Sequence, residues 1–159
     1  TPESWTCPNG THVCELDVDA ETGAIEIVRY TVVDDFGATL NPLLLESQVQ
    51  GGVGQGIGQA LMERVVYDED AQLLTGSFMD YAMPRAAEIP SIDFNTRNVP
   101  SPVNAMGMKG AGEAGAIASC PAVMNALVDA LNHGCGVTRI DMPATPQAVW
   151  QAMSHAQRT

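Results

Sequence analysis

The sequence predicts an α+β fold. Three observations carry the prediction: two strand patterns near the start are joined by a short turn, two later stretches repeat apolar residues at spacings of three and four, and hairpins alternate with helices along the chain. With 159 residues, 45% of them hydrophobic, the chain is long enough for a real core. It reads as β-hairpins packed with glycine-rich helices, in one domain or in two small lobes meeting near residues 80–100.

Thr1 to Gly10 contains two prolines and a glycine and reads as an entry loop. From His12 to Val18, Cys14, Leu16 and Val18 alternate with Val13, Glu15 and Asp17, which predicts a half-buried strand. Asp19 to Gly23 is a turn, and Ile25 to Val33 is a return strand rich in β-branched residues. Asp34 and Asp35 follow. Neighbours on an extended chain point to opposite faces, so turn chemistry is expected of them rather than a shared site.

Asn41-Pro42 opens a helix, with Asn as N-cap and Pro in the first turn. It runs to Leu61 and carries five glycines, Gly51, Gly52, Gly54, Gly56 and Gly58. Each costs a helix interior about 1 kcal/mol relative to Ala. Such a helix must gain from close packing against a backbone or from a flat ligand. Gln48 and Gln55 lie seven apart, on one face, where amides could bond the edge of a heterocycle.

Glu63 to Tyr67 and Leu73 to Met79 are expected as paired strands around a turn at Asp68 to Asp70. Tyr81 to Pro90 is a loop, and Ile92, Phe94 and Thr96 alternate as a further strand. After Glu113, the recurrence of Ile117, Cys120, Met124, Leu127, Val128 and Leu131 predicts a helix ending near Asn132 at a glycine stop. Val137 to Met142 reads as a short strand. Thr145-Pro146 caps a last helix whose buried side is Val149, Trp150 and Met153.

The charge balance, seven Lys and Arg against 19 Asp and Glu, gives a net charge of −12. This argues against nucleic acid, which needs clustered cations, and against anionic membrane surfaces. No membrane span or signal peptide is expected. Cys7, Cys14, Cys120 and Cys135 form no metal-binding spacing and point to a reducing compartment. The three histidines are scattered, so no metal ligand is assigned. The chain starts at Thr1 and enters a strand pattern almost at once, which reads as a piece of a longer protein.

The segment Met108-Lys109-Gly110-Ala111-Gly112-Glu113-Ala114-Gly115 concentrates the chemistry. Lys109 is the only lysine in the chain. Glu113 falls where a glycine-rich loop enters a helix, close to outward-pointing N–H groups and the positive end of the dipole. A carboxylate there can serve as a proton acceptor, or simply as a first-turn residue that offsets the dipole. The run Gly110 to Gly115 also matches G-x-G-x-x-G. However, it follows a loop rather than a buried strand, and Glu113 would oppose a pyrophosphate, so a dinucleotide site is not expected.

Several ordered blocks together carry a family likeness: Pro8-Asn9-Gly10, Asp34-Asp35, Asn41-Pro42, Gln48 to Leu61, Gly76 to Tyr81, Lys109 to Glu113 and Asp141 to Pro146. From about Pro8 to Met153 the chain resembles the C-terminal part of the molybdopterin-binding large subunit of the xanthine dehydrogenase/aldehyde oxidase/carbon monoxide dehydrogenase family. The resemblance implies part of a molybdenum-cofactor-binding domain in an oxidoreductase that hydroxylates an aldehyde or N-heterocycle. It makes Glu113 the general base, which deprotonates the oxygen that attacks the substrate carbon. It makes Gln48 a pterin contact and sets Gly51, Gly52, Lys109, Gly110, Ala111 and Gly112 beside the cofactor. The implied cofactor is molybdopterin cytosine dinucleotide with molybdenum. The implied partners are the upstream remainder of the large subunit, iron–sulfur and FAD domains or subunits, and a small-molecule substrate. The sequence after Glu113 lacks the proline of many xanthine-oxidising members, so a purine substrate is not implied. The implied compartment is the cytoplasm or the periplasm, and the stretch alone is expected to be inactive. The alternative reading is a non-catalytic glycine-rich lobe, nucleotide-binding or structural.

Overall fold

A computed structural model describes residues 5–156. The chain runs β1 (Asn9–Val18), β2 (Ile25–Asp35), α1 (Pro42–Leu61), β3 (Ile92–Thr96), α2 (Ala114–Cys135) and α3 (Pro146–Ala156). The sheet has the order β1-β2-β3. β1 and β2 form an antiparallel hairpin, and β3 joins β2 in parallel, Tyr30 beside Ile92. The architecture is α+β, as the patterning predicts. The first four residues of the expected entry loop lie outside the described residues, and its end, Asn9-Gly10, already pairs with Asp34 and Asp35.

The hairpin turn forms because Asp19 accepts the N–H groups of Glu21 and Thr22 at 2.7 and 3.2 Å. Asn41 caps α1 by accepting the Leu44 N–H at 3.2 Å, with Pro42 in the first turn. α2 ends three residues beyond Asn132. Gly136, at φ +76°, adopts the left-handed cap that other residues resist, and its N–H returns to the Asn132 carbonyl.

The core joins Tyr30, Val32 and Phe36 from β2 and its end, Val49, Val53 and Ile57 from α1, Val123, Leu127 and Leu131 from α2, and Val149 from α3. α2 is long and apolar enough to cross a membrane by length and composition alone, a test that the core helix of a soluble protein also passes. Its apolar residues Val123, Leu127 and Leu131 are buried in this core instead.

The glycines of α1 are mostly explained by packing. A Cβ on Gly52 would stand 2.7 Å from the Ala116 nitrogen and 2.9 Å from the Gly115 Cα. One on Gly56 would overlap Ser119 Oγ. The two backbones approach closely there, and the Cys120 thiol donates to the Gly56 carbonyl at 3.4 Å. Gly54 and Gly58 face Ile89 and Pro84. Only Gly51 of the five looks onto open space.

Three expected features differ. Residues 63–79 form one isolated bridge, Tyr67 to Leu73, rather than two strands. Asp68 Oδ1 takes the Asp70 and Gln72 N–H groups, Thr75 Oγ1 takes that of Val66, and Val65, Tyr67 and Leu74 stay exposed with no core to cover. Residues 137–142 form no strand. Val137 and Ile140 pack on the core from an extended segment, and the following Ala144 N–H bonds the Ala60 carbonyl at 2.7 Å. Trp150 is half-exposed rather than buried, because it lies over the hairpin turn, against the position a Gly23 side chain would occupy.

Candidate functional site

The loop before α2 is held from two sides. Its first half runs beside residues 36–38: the Lys109 N–H donates to the Phe36 carbonyl at 2.9 Å, and the Ala38 N–H to the Gly107 carbonyl at 2.8 Å. Asn104 clamps Met108 through both its amide atoms. The Lys109 ammonium forms a 2.5 Å ion pair with Asp35 Oδ2. Asp35 Oδ1 also accepts the Gly37 and Val99 N–H groups at 2.9 and 3.0 Å. The expected turn role of the aspartate pair is thus only part of the truth. Asp35 does bond Gly37, but both carboxylates are buried, and they point apart: Asp35 to Lys109, Asp34 to His12.

The Lys109 hydrogen bond, with those of Val99 and Gly37, pulls the Asp35 carboxyl down to about 2. A carboxyl lowered on folding contributes stability above its unfolded value, about 3.9. That contribution is lost as pH falls from there through the folded value. Asp35→Asn is therefore expected to lower stability at neutral pH and to flatten the acid-unfolding curve between about pH 4 and pH 2. An acid titration followed by circular dichroism checks both. An unchanged curve would show that the pair anchors nothing.

The second half of the loop is held by α1. The Gln48 side-chain amide donates to the Gly112 carbonyl at 2.7 Å. Gln55, two turns on, is exposed and shares no such bond. Glu113 occupies the N-cap position of α2, yet its side chain makes no capping hydrogen bond, and it is exposed. Its side chain therefore does not cap the helix by a hydrogen bond. Its carboxylate is presented at a helix start without a hydrogen-bond partner among the described residues.

The surroundings fit a flat ligand. A Cβ on Gly51 or Gly112 would meet nothing within 4 Å, and one on Gly110 only the Thr6 carbonyl oxygen at 4.0 Å. Beside them lies a cleft of about 240 Å³ between the start of α1 and the loop, walled by Phe36, Leu40, Leu44, Gln48, Lys109 and Ala111. Of the expected site residues, Gln48, Lys109 and Ala111 line this cleft, and Gly112, next to Glu113, is bonded to Gln48; Gly51 and Gly110 are not among its walls. Gly52 is turned into the α1–α2 contact.

A model of the molybdopterin cofactor-binding domain matches residues 1–90. The chain belongs to this family. The carbon monoxide dehydrogenase large chain of Hydrogenophaga pseudoflava is 36% identical over 96% of this chain and 19% of its own length. The gamma subunit of the 6-hydroxypseudooxynicotine dehydrogenase complex of Paenarthrobacter nicotinovorans is 39% identical over 95% of this chain and 19% of its own. The crystal structure of quinoline 2-oxidoreductase from Pseudomonas putida 86 superposes with a TM-score of 0.88, at 37% identity, over 92% of this chain and 19% of that one. The chain thus spans about a fifth of the relatives it matches. The open glycines of the loop, Gly110 and Gly112, are not used by the packing of α1 against α2.

Sequence reasoning gave no histidine a role. The structure places His12 on β1 with its side chain buried, 2.9 Å from the Tyr30 hydroxyl and 3.5 Å from Asp34 Oδ2. The alternation of β1 put His12 on the inward face with Cys14 and Leu16, and that was the available signal. Burial raises the Cys14 thiol to about 11 and also raises that of Cys120. Both behave as small buried groups rather than nucleophiles.

Proposed function

We propose that this chain is the C-terminal portion of the catalytic large subunit of a molybdenum hydroxylase, acting on an aldehyde or an N-heterocycle with Glu113 as general base. The observation that carries the reading is the uncapped Glu113 carboxylate at the start of α2, set beside Gln48 by a loop anchored at both halves. When bound, the molybdenum cofactor supplies the two-electron oxidant. Glu113 takes the proton of the oxygen nucleophile as that oxygen attacks an electron-poor carbon. Gln48 spends its N–H on Gly112, which leaves its amide oxygen for a pterin N–H. Gly51, Gly110 and Gly112 allow close approach of a flat ring, and Ala111 and Lys109 complete the wall. Lys109 acts by holding the loop to Asp35.

The cofactor is molybdopterin cytosine dinucleotide, with iron–sulfur clusters and FAD on partner domains or subunits, in the cytoplasm or the periplasm. The upstream remainder of the large subunit completes the site, so the stretch alone is inactive. Two relatives support the partner and substrate classes: one is a subunit of a dehydrogenase complex, and another is named for quinoline, an N-heterocycle.

The test is the molybdenum content of the intact gene product purified with its partners. About one molybdenum per large subunit is expected. None, in cells that load other molybdoenzymes, would overturn the reading. In the same assay, Gly112→Ala is expected to lower cofactor content without changing the melting temperature, because the added methyl meets no atom of the described residues.

A further inference from the structure

The His12 cluster lies outside the residues used so far. In the β1–β2 register Gly10 faces Asp34 and His12 faces Val32, so the histidine and the aspartate sit on neighbouring strands one step apart. Their side chains are 2% and 5% exposed. Gly10 has no side chain where a Cβ would overlap Asp34 Oδ1, which makes room for the carboxylate. His12 Nδ1 is paired with the Tyr30 hydroxyl, and the two rings meet edge to face. Nε2 stands 3.5 Å from Asp34 Oδ2, longer than an N–H···O bond, and neither atom has a hydrogen-bond partner among the described residues. Two buried polar atoms left so are costly unless something joins them. The residues His12 and Asp34 line a cavity of about 180 Å³, together with Asn9, Gly10 and, from the first turns of α2, Ala114, Ile117 and Ala118.

We propose that His12 Nε2 and Asp34 Oδ2 hold a water molecule in this cavity, and that the site takes up the proton collected by Glu113. The inference rests on the reading of Glu113 as base. A water donates to both atoms when His12 carries its proton on Nδ1 and donates it to the Tyr30 oxygen. The cavity is wide enough for it, and it is polar on one side. Ala114, which lines it, follows Glu113 directly, their Cα atoms about 3.8 Å apart. In the transfer, the Glu113 carboxyl O–H breaks and its proton joins the water, while a water proton forms the N–H bond at Nε2. The imidazolium then stands beside the Asp34 carboxylate and later releases the proton to solvent. The other titratable groups near the Tyr30–His12 pair are the Cys14 thiol from β1 and the Cys120 thiol from α2. Burial keeps both, and the Tyr30 phenol, protonated, so none competes for the proton.

The experiment uses the intact, molybdenum-loaded enzyme. A high-resolution crystal structure is expected to show a water within hydrogen-bond distance of both Nε2 and Oδ2; its absence would overturn the proposal. His12→Gln is expected to lower kcat about tenfold or more, less than loss of the base itself, with KM and molybdenum content unchanged. It should also change the pH profile and raise the solvent deuterium isotope effect. His12→Ala should regain turnover with added imidazole, which the cavity can admit. Wild-type kcat, pH profile and isotope effect in His12→Gln would overturn the relay. Should the His12 variants fail to load metal, Tyr30→Phe removes only the hydroxyl at Nδ1; a changed pH profile is expected, and a wild-type one overturns the relay. Glu113→Gln measured alongside separates the two ideas. Turnover retained in that variant removes the base, whereas turnover lost there with His12→Gln at wild type removes the relay alone.

Discussion

Glu113→Gln in the intact enzyme is expected to lower kcat by about 10²–10⁴-fold, the usual contribution of a positioned general base, at wild-type molybdenum content. Glutamine keeps the size and the polar end of the side chain and removes only its capacity to accept a proton at neutral pH. The structure makes the substitution a clean one. Glu113 makes no capping hydrogen bond, so α2 loses no cap. The lost interaction with the helix dipole is worth about 0.3–1 kcal/mol, too little to unfold a domain. Steady-state kinetics with metal analysis on the same sample checks the prediction. Near-normal turnover with full metal would leave Glu113 as a first-turn residue. A stability loss with unchanged turnover per molybdenum would say the same.

The second large effect is expected at Gly115→Ala, on stability. The added Cβ would sit 2.3 Å from the Val49 carbonyl oxygen and 3.0 Å from both the Gly52 Cα and the Val53 nitrogen. These are backbone atoms of α1 and cannot rotate away, so the helices must separate. Overpacking of this kind costs about 1–3 kcal/mol. The helix preference of alanine offsets at most about 1 kcal/mol and acts weakly in a first turn. A net fall in melting temperature of several degrees follows, at about 2–4 °C per kcal/mol for a domain of this size. Gly51→Ala is the control. Its Cβ meets nothing, so the same substitution one position before Gly52 should leave the melting temperature unchanged or raise it. Equal losses at the two sites would mean that the close contact of Gly115 with α1 does not carry the effect.

These two residues also mark where sequence reasoning was sufficient and where it was not. The strand alternation of β1, the Asn41-Pro42 helix start and a glycine stop after α2 are local, and each formed within about three residues of where the sequence predicts it. The two strands expected within 63–79 also had local patterning, but an isolated bridge is all that formed, because strands need a partner and a core to cover. The position of Glu113 at a helix start was legible for the same local reason as the caps.

The amino-acid sequence by itself determined the class of fold, the three helices, the hairpin and the family to which the chain belongs. Those properties depend on periodicity, on capping chemistry and on ordered blocks of residues. The tertiary structure alone decided which glycines serve packing and which stay open to a ligand, because that depends on the distance between α1 and α2. It alone paired Lys109 with Asp35, 74 residues apart, and His12 with Asp34, 22 apart. A charge finds its partner through space, and the linear order of residues does not record the approach.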